Sequence, residues 1–134
     1  MLYSKTIMER FQNPRNVGIV HGANAVGQVR GDAGADLMKL YLQIDKMKIV
    51  EAKFKAFGCA VAISTLDVMC DLITNKSVDD ALQISERDVS KILGEIPDHK
   101  KGCMALTEEV VKVAIQDYFK RQEKEARKAL KKAR

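Results

Sequence analysis

Tryptophan is absent from this 134-residue chain, and it has only two prolines, two histidines and three cysteines. So little proline, with eight glycines, excludes collagen-like and proline-rich architectures. An odd cysteine count with no C-x-x-C spacing excludes a disulfide framework and fits a reducing compartment, where Cys59, Cys70 and Cys103 are free thiols or ligands. No apolar run approaches the roughly 20 residues that cross a bilayer. The start, Met1-Leu2-Tyr3-Ser4-Lys5, lacks the basic-then-apolar layout of a secretion signal, so a soluble, cytoplasmic protein is expected.

What is present suffices for one packed domain: 46% of residues are hydrophobic and 31% charged. The net charge of +5 is unevenly spread. From Lys120 to Arg134 eight Lys or Arg face only Glu123 and Glu125, a local charge of +6 that leaves −1 for the rest. A basic tail on a near-neutral body argues against a domain built around phosphate contacts, and neither a nucleic-acid nor a membrane partner is expected. We therefore divide the chain into a folded domain, 1–119, and an exposed, helical basic tail, 120–134.

Periodicity gives the order of elements. Tyr3 to Phe11 reads as a short helix capped by Ser4 and stopped by Asn13-Pro14, and a loop then leads to a strand near Ala25 to Arg30. Leu37 to Ile44 and Ile49 to Phe57 alternate with period two across a four-residue connection, predicting a hairpin with Val50, Ala52 and Phe54 turned toward the core. After Cys59 the period becomes helical, with Ala62, Leu66, Met69 and Ile73 in one stripe to about Thr74. Ser77 begins a short helical turn, and Ser85 with Asp88 predicts a capped helix ending at Gly94. A last helix beginning near Cys103 carries Thr107, Val111, Ala114, Ile115 and Tyr118 on one side. Strands followed by helices predict an α+β domain: a three-stranded antiparallel sheet with helices packed mainly on one face.

Chemistry is concentrated in few residues. Cys59 after Gly58 and Cys103 after Gly102 both fall at expected helix starts, where unpaired N–H groups favour thiolate and metal ligation. Each glycine leaves room for another group to come close. Cys70 lies three helical turns beyond Cys59, about 16 Å along the axis, so it cannot share a metal with it and reads as core. Asp32 and Asp36 lie in a Gly-rich segment that reads as loop, and no Gly-Lys-Ser/Thr follows, so nucleotide binding is not supported. His21 and His99 are in loops; His99 is four residues before Cys103, within reach of the same metal, although a solvent-facing role is the simpler reading. Two histidines and no nucleophile elbow leave no Ser-His-Asp or Cys-His-Asn arrangement.

Asn13-Pro14-Arg15-Asn16-Val17-Gly18, Asp36-Leu37-Met38-Lys39-Leu40, Lys76-Ser77 with Asp80-Ala81, Phe57-Gly58-Cys59-Ala60, and Cys103 opening a helix with Ala114-Ile115 and Asp117-Tyr118 together resemble the IscU/NifU N-terminal scaffold family. The resemblance implies an IscU/SufE-like α+β fold and a non-enzymatic carrier. In that family three cysteines hold a nascent iron–sulfur cluster, built from iron and from sulfur delivered by a cysteine desulfurase, then passed to acceptor apo-proteins. SufU relatives instead hold Zn²⁺ through cysteines and an aspartate and accept persulfide sulfur.

Two departures stand out. Where the family has Ala-Cys-Gly-Asp, this chain has Ala33-Gly34-Ala35-Asp36, so the first ligand cysteine is replaced by Gly34. Gly102-Cys103 stands where many scaffolds have His-Cys, and Ile96-Pro97-Asp98-His99-Lys100 stands where the Isc branch has its chaperone-binding Leu-Pro-Pro-Val-Lys. Carried over, Cys59, Cys103 and Asp36 remain as metal and cluster ligands. A [2Fe–2S] cluster takes four terminal ligands. The resemblance therefore implies a cluster shared by a homodimer, one completed by Asp36, His99, a small thiol or a partner's cysteine, or a site left with zinc or persulfide chemistry. An adaptor paralogue that binds the desulfurase but assembles nothing is the third reading.

Overall fold

The computed structural model describes residues 3–31 and 36–133. Helix α1 (Lys5–Gln12) precedes strands β1 (Ala25–Arg30), β2 (Leu37–Asp45) and β3 (Lys48–Phe57). Helices α2 (Ala60–Ile73), α3 (Val78–Ala81), α4 (Glu86–Leu93) and α5 (Lys101–Lys132) follow, with a 3₁₀ turn, Asp98–Lys100, before the last. The sheet has the order β1-β2-β3, all antiparallel. It carries its helices on one face, as the period-two segments followed by helical ones predict. No helix among the described residues is long and apolar enough to cross a membrane.

The local signals act as their chemistry requires. Ser4 accepts from the Ile7 N–H and caps α1, and Ser77 accepts from the Asp80 N–H and caps α3. Ser85 and Asp88 close a capping box on α4. The hairpin is tighter than the four-residue connection expected: β2 and β3 run to Asp45 and Lys48, and Lys46 and Met47 turn with φ of 51° and 63°. One core assignment needs correction. The register shifts at Gln43/Ile44, so Ile44 pairs with Ile49 and Val50 bulges out, 42% exposed, while Ile49 is buried in its place. Period-two counting cannot see an inserted residue.

Helix α2 is buried on nearly all sides, because it is roofed by α1 and α4 while it covers β3 and touches α5. Helix α5 lies along β1 and β2. That contact needs Gly27: a Cβ there would stand 2.6 Å from the Ala114 backbone N and 2.8 Å from the Val110 carbonyl O. Asp117 then ties the two elements, accepting from the Val26 N–H at 2.8 Å. The Thr65 and Thr107 hydroxyls meet at 3.1 Å and fix α2 against α5.

The Asn13–Asn16 motif is held by a buried carboxylate. Asp67, inside the apolar run of α2, accepts from the backbone N–H groups of Arg15 and Asn16 at 2.9 and 2.8 Å and from Arg10 at 2.7 Å. Asn16 then hydrogen-bonds the Phe54 N–H through its own carbonyl, and Gly18 donates to the Phe54 carbonyl, so this segment covers the free edge of β3. Asp67→Ala removes the acceptor, leaves the Arg15 and Asn16 N–H groups without it and leaves Arg10 with Asp71 alone. Urea unfolding should show a loss of about 3 kcal/mol.

Candidate functional site

Three chain segments end at the same edge of the sheet: the approach to β2 with Asp36, the exit from β3 with Gly58-Cys59, and the first turn of α5 with Cys103. Cys59 is the N-cap residue of α2, with φ −77° and ψ 175°, and its side chain makes no capping bond. Its thiol is thus free to face elsewhere. Its sulfur lies 3.9 Å from Cys103 Sγ, and Cys103 Sγ lies 3.7 Å from Asp36 Oδ2. Residues 44 and 67 positions apart in sequence are thereby brought together.

These separations fit metal ligation. A tetrahedral ion bonded at about 2.3 Å to sulfur and about 2.0 Å to carboxylate oxygen keeps two sulfurs about 3.8 Å apart and a sulfur and an oxygen about 3.5 Å apart. Cys103 is the shared corner of the two pairs. Among the described residues, however, no group of three His, Cys, Asp or Glu side chains is placed to hold one ion as it stands. Gly34, where the family pattern has a cysteine, lies outside the described residues, as does Asp32.

Gly58 is what admits the carboxylate. A Cβ at this position would stand 2.6 Å from Asp36 Oδ1 and 3.0 Å from the Ala62 Cβ. The expectation that glycine before Cys59 lets another group come close is thus given a partner, Asp36. Gly102 serves no such purpose, since nothing lies within 4 Å of a Cβ built there.

The expectation of a thiolate at Cys103 is reversed. The helix begins at Lys101, so Cys103 sits inside the first turn and is buried. Burial first, then the facing Cys59 and Asp36, push its thiol up to about 12. Lys100 is half-buried, and attraction to Cys59, followed by Tyr3, raises its ammonium above the usual lysine value. The sequence reading passed over Lys100, although its place three residues before Cys103 was available as a signal. Cys70 is fully buried in α2, and desolvation, then Asp67 and Asp71, raise its thiol well above the ordinary range. It belongs to the core, as its helical offset from Cys59 predicts. His99 is exposed in the 3₁₀ turn and lines an open groove of about 390 Å³ with Arg30, Asp36, Lys100, Cys103 and Glu109. A larger hollow of about 710 Å³ between α4 and the start of α5 contains no thiol and lies apart from this chemistry.

The sequence model of the NifU-like N-terminal domain matches residues 2–125. The chain belongs to that family. The iron–sulfur cluster assembly scaffold protein IscU 1 of Archaeoglobus fulgidus is 37% identical over 120 residues, 90% of this chain and 78% of the relative. The Drosophila melanogaster protein named iron–sulfur cluster assembly enzyme IscU is 37% identical over 127 residues, 92% of this chain and 82% of its own. In shape, the crystal structure of a protein described as a cluster assembly scaffold of the SUF system from Fervidobacterium islandicum matches with a TM-score of 0.74 at 23% identity, covering 85% of this chain and 96% of that one. The IscU/NifU-like α+β fold is shared.

The titration of Cys103 gives two outcomes for the metal-free protein. Alkylation of Cys103 should be slow at pH 8 and accelerate until about pH 12, as followed by mass spectrometry. Unfolded cysteine titrates near 8.5, so from there to about 12 the unfolded chain has already lost a proton the folded one keeps. Stability should therefore fall as pH rises through that window in urea titrations, and less steeply in Cys103→Ser.

Proposed function

We propose that the chain is a scaffold that holds and relays iron–sulfur material through Cys59 and Cys103, with Asp36 as the third protein ligand. The observation that carries this reading is the 3.9 Å separation of two thiols that stand 44 residues apart in sequence. Thiolates are the ligands that soft iron and zinc centres select, and a carboxylate beside them adds charge and an exchangeable donor. Iron–sulfur clusters take their terminal ligands mainly from cysteine, which is also how the curated relatives' names bear on this chain. The cluster, a [2Fe–2S] unit, is cargo. A cysteine desulfurase supplies sulfur and acceptor apo-proteins receive the product, with the protein itself acting as carrier in the cytoplasm, where free thiols persist.

One chain offers two thiolates and one carboxylate, fewer than the four terminal ligands of a [2Fe–2S] unit. A second copy of the chain, His99 or a small thiol completes the set. Open positions make the bound cluster labile, which suits transfer. The second reading, a zinc-bound sulfur acceptor of the SufU kind, is favoured by one feature: each of the two separations at Cys103, to Cys59 and to Asp36, matches a pair of ligands on a tetrahedral ion. In both readings residues 1–119 hold the site and 120–134 form an appended basic tail.

The deciding experiment is anaerobic reconstitution with iron, cysteine and a cysteine desulfurase, followed by visible spectra and metal analysis. Charge-transfer bands present in the wild type and lost in Cys59→Ala and in Cys103→Ala support the carrier. Stoichiometric zinc without bands supports the sulfur acceptor, and neither metal supports an adaptor. Gly34→Cys restores the family's first thiolate, so cluster lifetime in the presence of a chelator should lengthen about tenfold or more, as for other changes in a metal's ligand shell. An unchanged lifetime would remove Gly34 from the ligand position.

A further inference from the structure

The helices cover only one face of the sheet, and the other face is cationic. On that face Gln28, Lys39 and Lys55 form one rung across the three strands. Lys39 and Lys55 are directly opposite each other, and no carboxylate shares their rung. Like charges placed this way across an antiparallel pair are destabilising. The next rung pairs Tyr41 with Lys53, and Lys39 Nζ lies over the Tyr41 ring at 5.4 Å. Among the described residues the one salt bridge on this face is Lys53 to Glu51, at 3.7 Å. The body outside the basic tail sums to −1, so this concentration of cations is a property of the face and not of the composition.

The rung at the other side of Lys39 places the face beside the thiols. Arg30, Leu37 and Phe57 are paired across the strands, immediately before the chain leaves β3 through Gly58 to Cys59. Phe57 is 74% exposed, the most exposed large apolar side chain of the described residues. An exposed aromatic ring next to a bed of lysines is an anchor with an electrostatic surround.

We propose that this open sheet face docks an acidic protein that exchanges cargo with the site, its carboxylates over Lys39, Lys53 and Lys55 and an apolar recess receiving Phe57. The exchange rests on the scaffold reading; the docking does not. Charge complementarity selects the occupant. A second copy of the chain would set lysine against lysine, and single-stranded nucleic acid stacks its bases on successive aromatic rings along a basic groove, whereas among the described residues of this face Phe57 is the one largely exposed ring, paired with the apolar Leu37. Docked there, the partner's edge overhangs Cys59, and one of its own side chains is positioned to supply the ligand that this chain lacks.

The test uses the full chain and a fluorescently labelled apo form of an acidic plant-type [2Fe–2S] ferredoxin, without iron or sulfide, and reads Kd by anisotropy at low and high salt. Binding to the wild type should weaken with salt and weaken about tenfold or more in K39E/K55E, with F57S also weaker. The tail variant K124Q/K128Q/K131Q should bind like the wild type. Absence of wild-type binding, equal binding by K39E/K55E, loss in the tail variant, or displacement of the ferredoxin by a single-stranded DNA 20-mer would each overturn the proposal. Circular dichroism checks that the variants, all altered at solvent-facing positions, are folded. Reconstitution of the unmixed wild type separates the two ideas: missing charge-transfer bands end the scaffold reading, whereas unchanged ferredoxin binding leaves the docking surface standing.

Discussion

The placement of the α2 start against the α5 start is the constraint on which the rest of the structure depends. Two helices packed on one sheet face can slide along their axes by a residue with little loss of apolar burial, and such a slide would separate Cys59 from Cys103. The slide is blocked by features that apolar packing alone does not provide. Thr65 and Thr107 meet in the core, and Thr107 also donates to the Cys103 carbonyl at 2.8 Å. Gly27 lets the α5 backbone at Val110 and Ala114 come close to β1, and Asp117 pins the Val26 N–H beside it. Fully satisfied buried polar contacts of this kind fix register more than they add stability.

The alternating strands, the caps at Ser4, Ser77 and Ser85, and the helix after Cys59 were legible in the sequence because each rests on neighbours a few residues apart. So was the shared edge of Asp36, Cys59 and Cys103, but only through the resemblance of several separated motifs, since spacing alone put 44 residues between the thiols. The bulge at Val50 was not legible, nor was the Asp67 network, because both are decided by what lies across the fold. In the sequence, Asp67 is merely an acid between Leu66 and Val68. Only the folded chain shows it holding Arg10, Arg15 and Asn16. The thiolate expected at Cys103 failed for the same reason. A helix start favours the anion, yet burial and two facing acids outweigh it.

The Cys103 thiol is therefore set by position and not by an activated titration. Burial and its facing groups keep the Cys103 thiol protonated, so in the proposed scaffold a metal would have to displace that proton, and its affinity would rise with pH. Lys100 places a cation near Cys59, where it would offset the negative charge of metal-bound thiolates in the proposed scaffold. Gly58 lets Asp36 into the same space without strain. Two thiols beside one carboxylate are a donor set suited to thiophilic centres, which is the basis of the carrier proposed above.

X-ray absorption at the edge of the bound metal, iron or zinc, measures the central claim most directly. The account predicts two protein sulfurs at about 2.3 Å with lighter oxygen or nitrogen neighbours, beyond any bridging sulfide, and one sulfur fewer in either Cys59→Ser or Cys103→Ser. A first shell without cysteine sulfur, or one unaltered by either substitution, would contradict it.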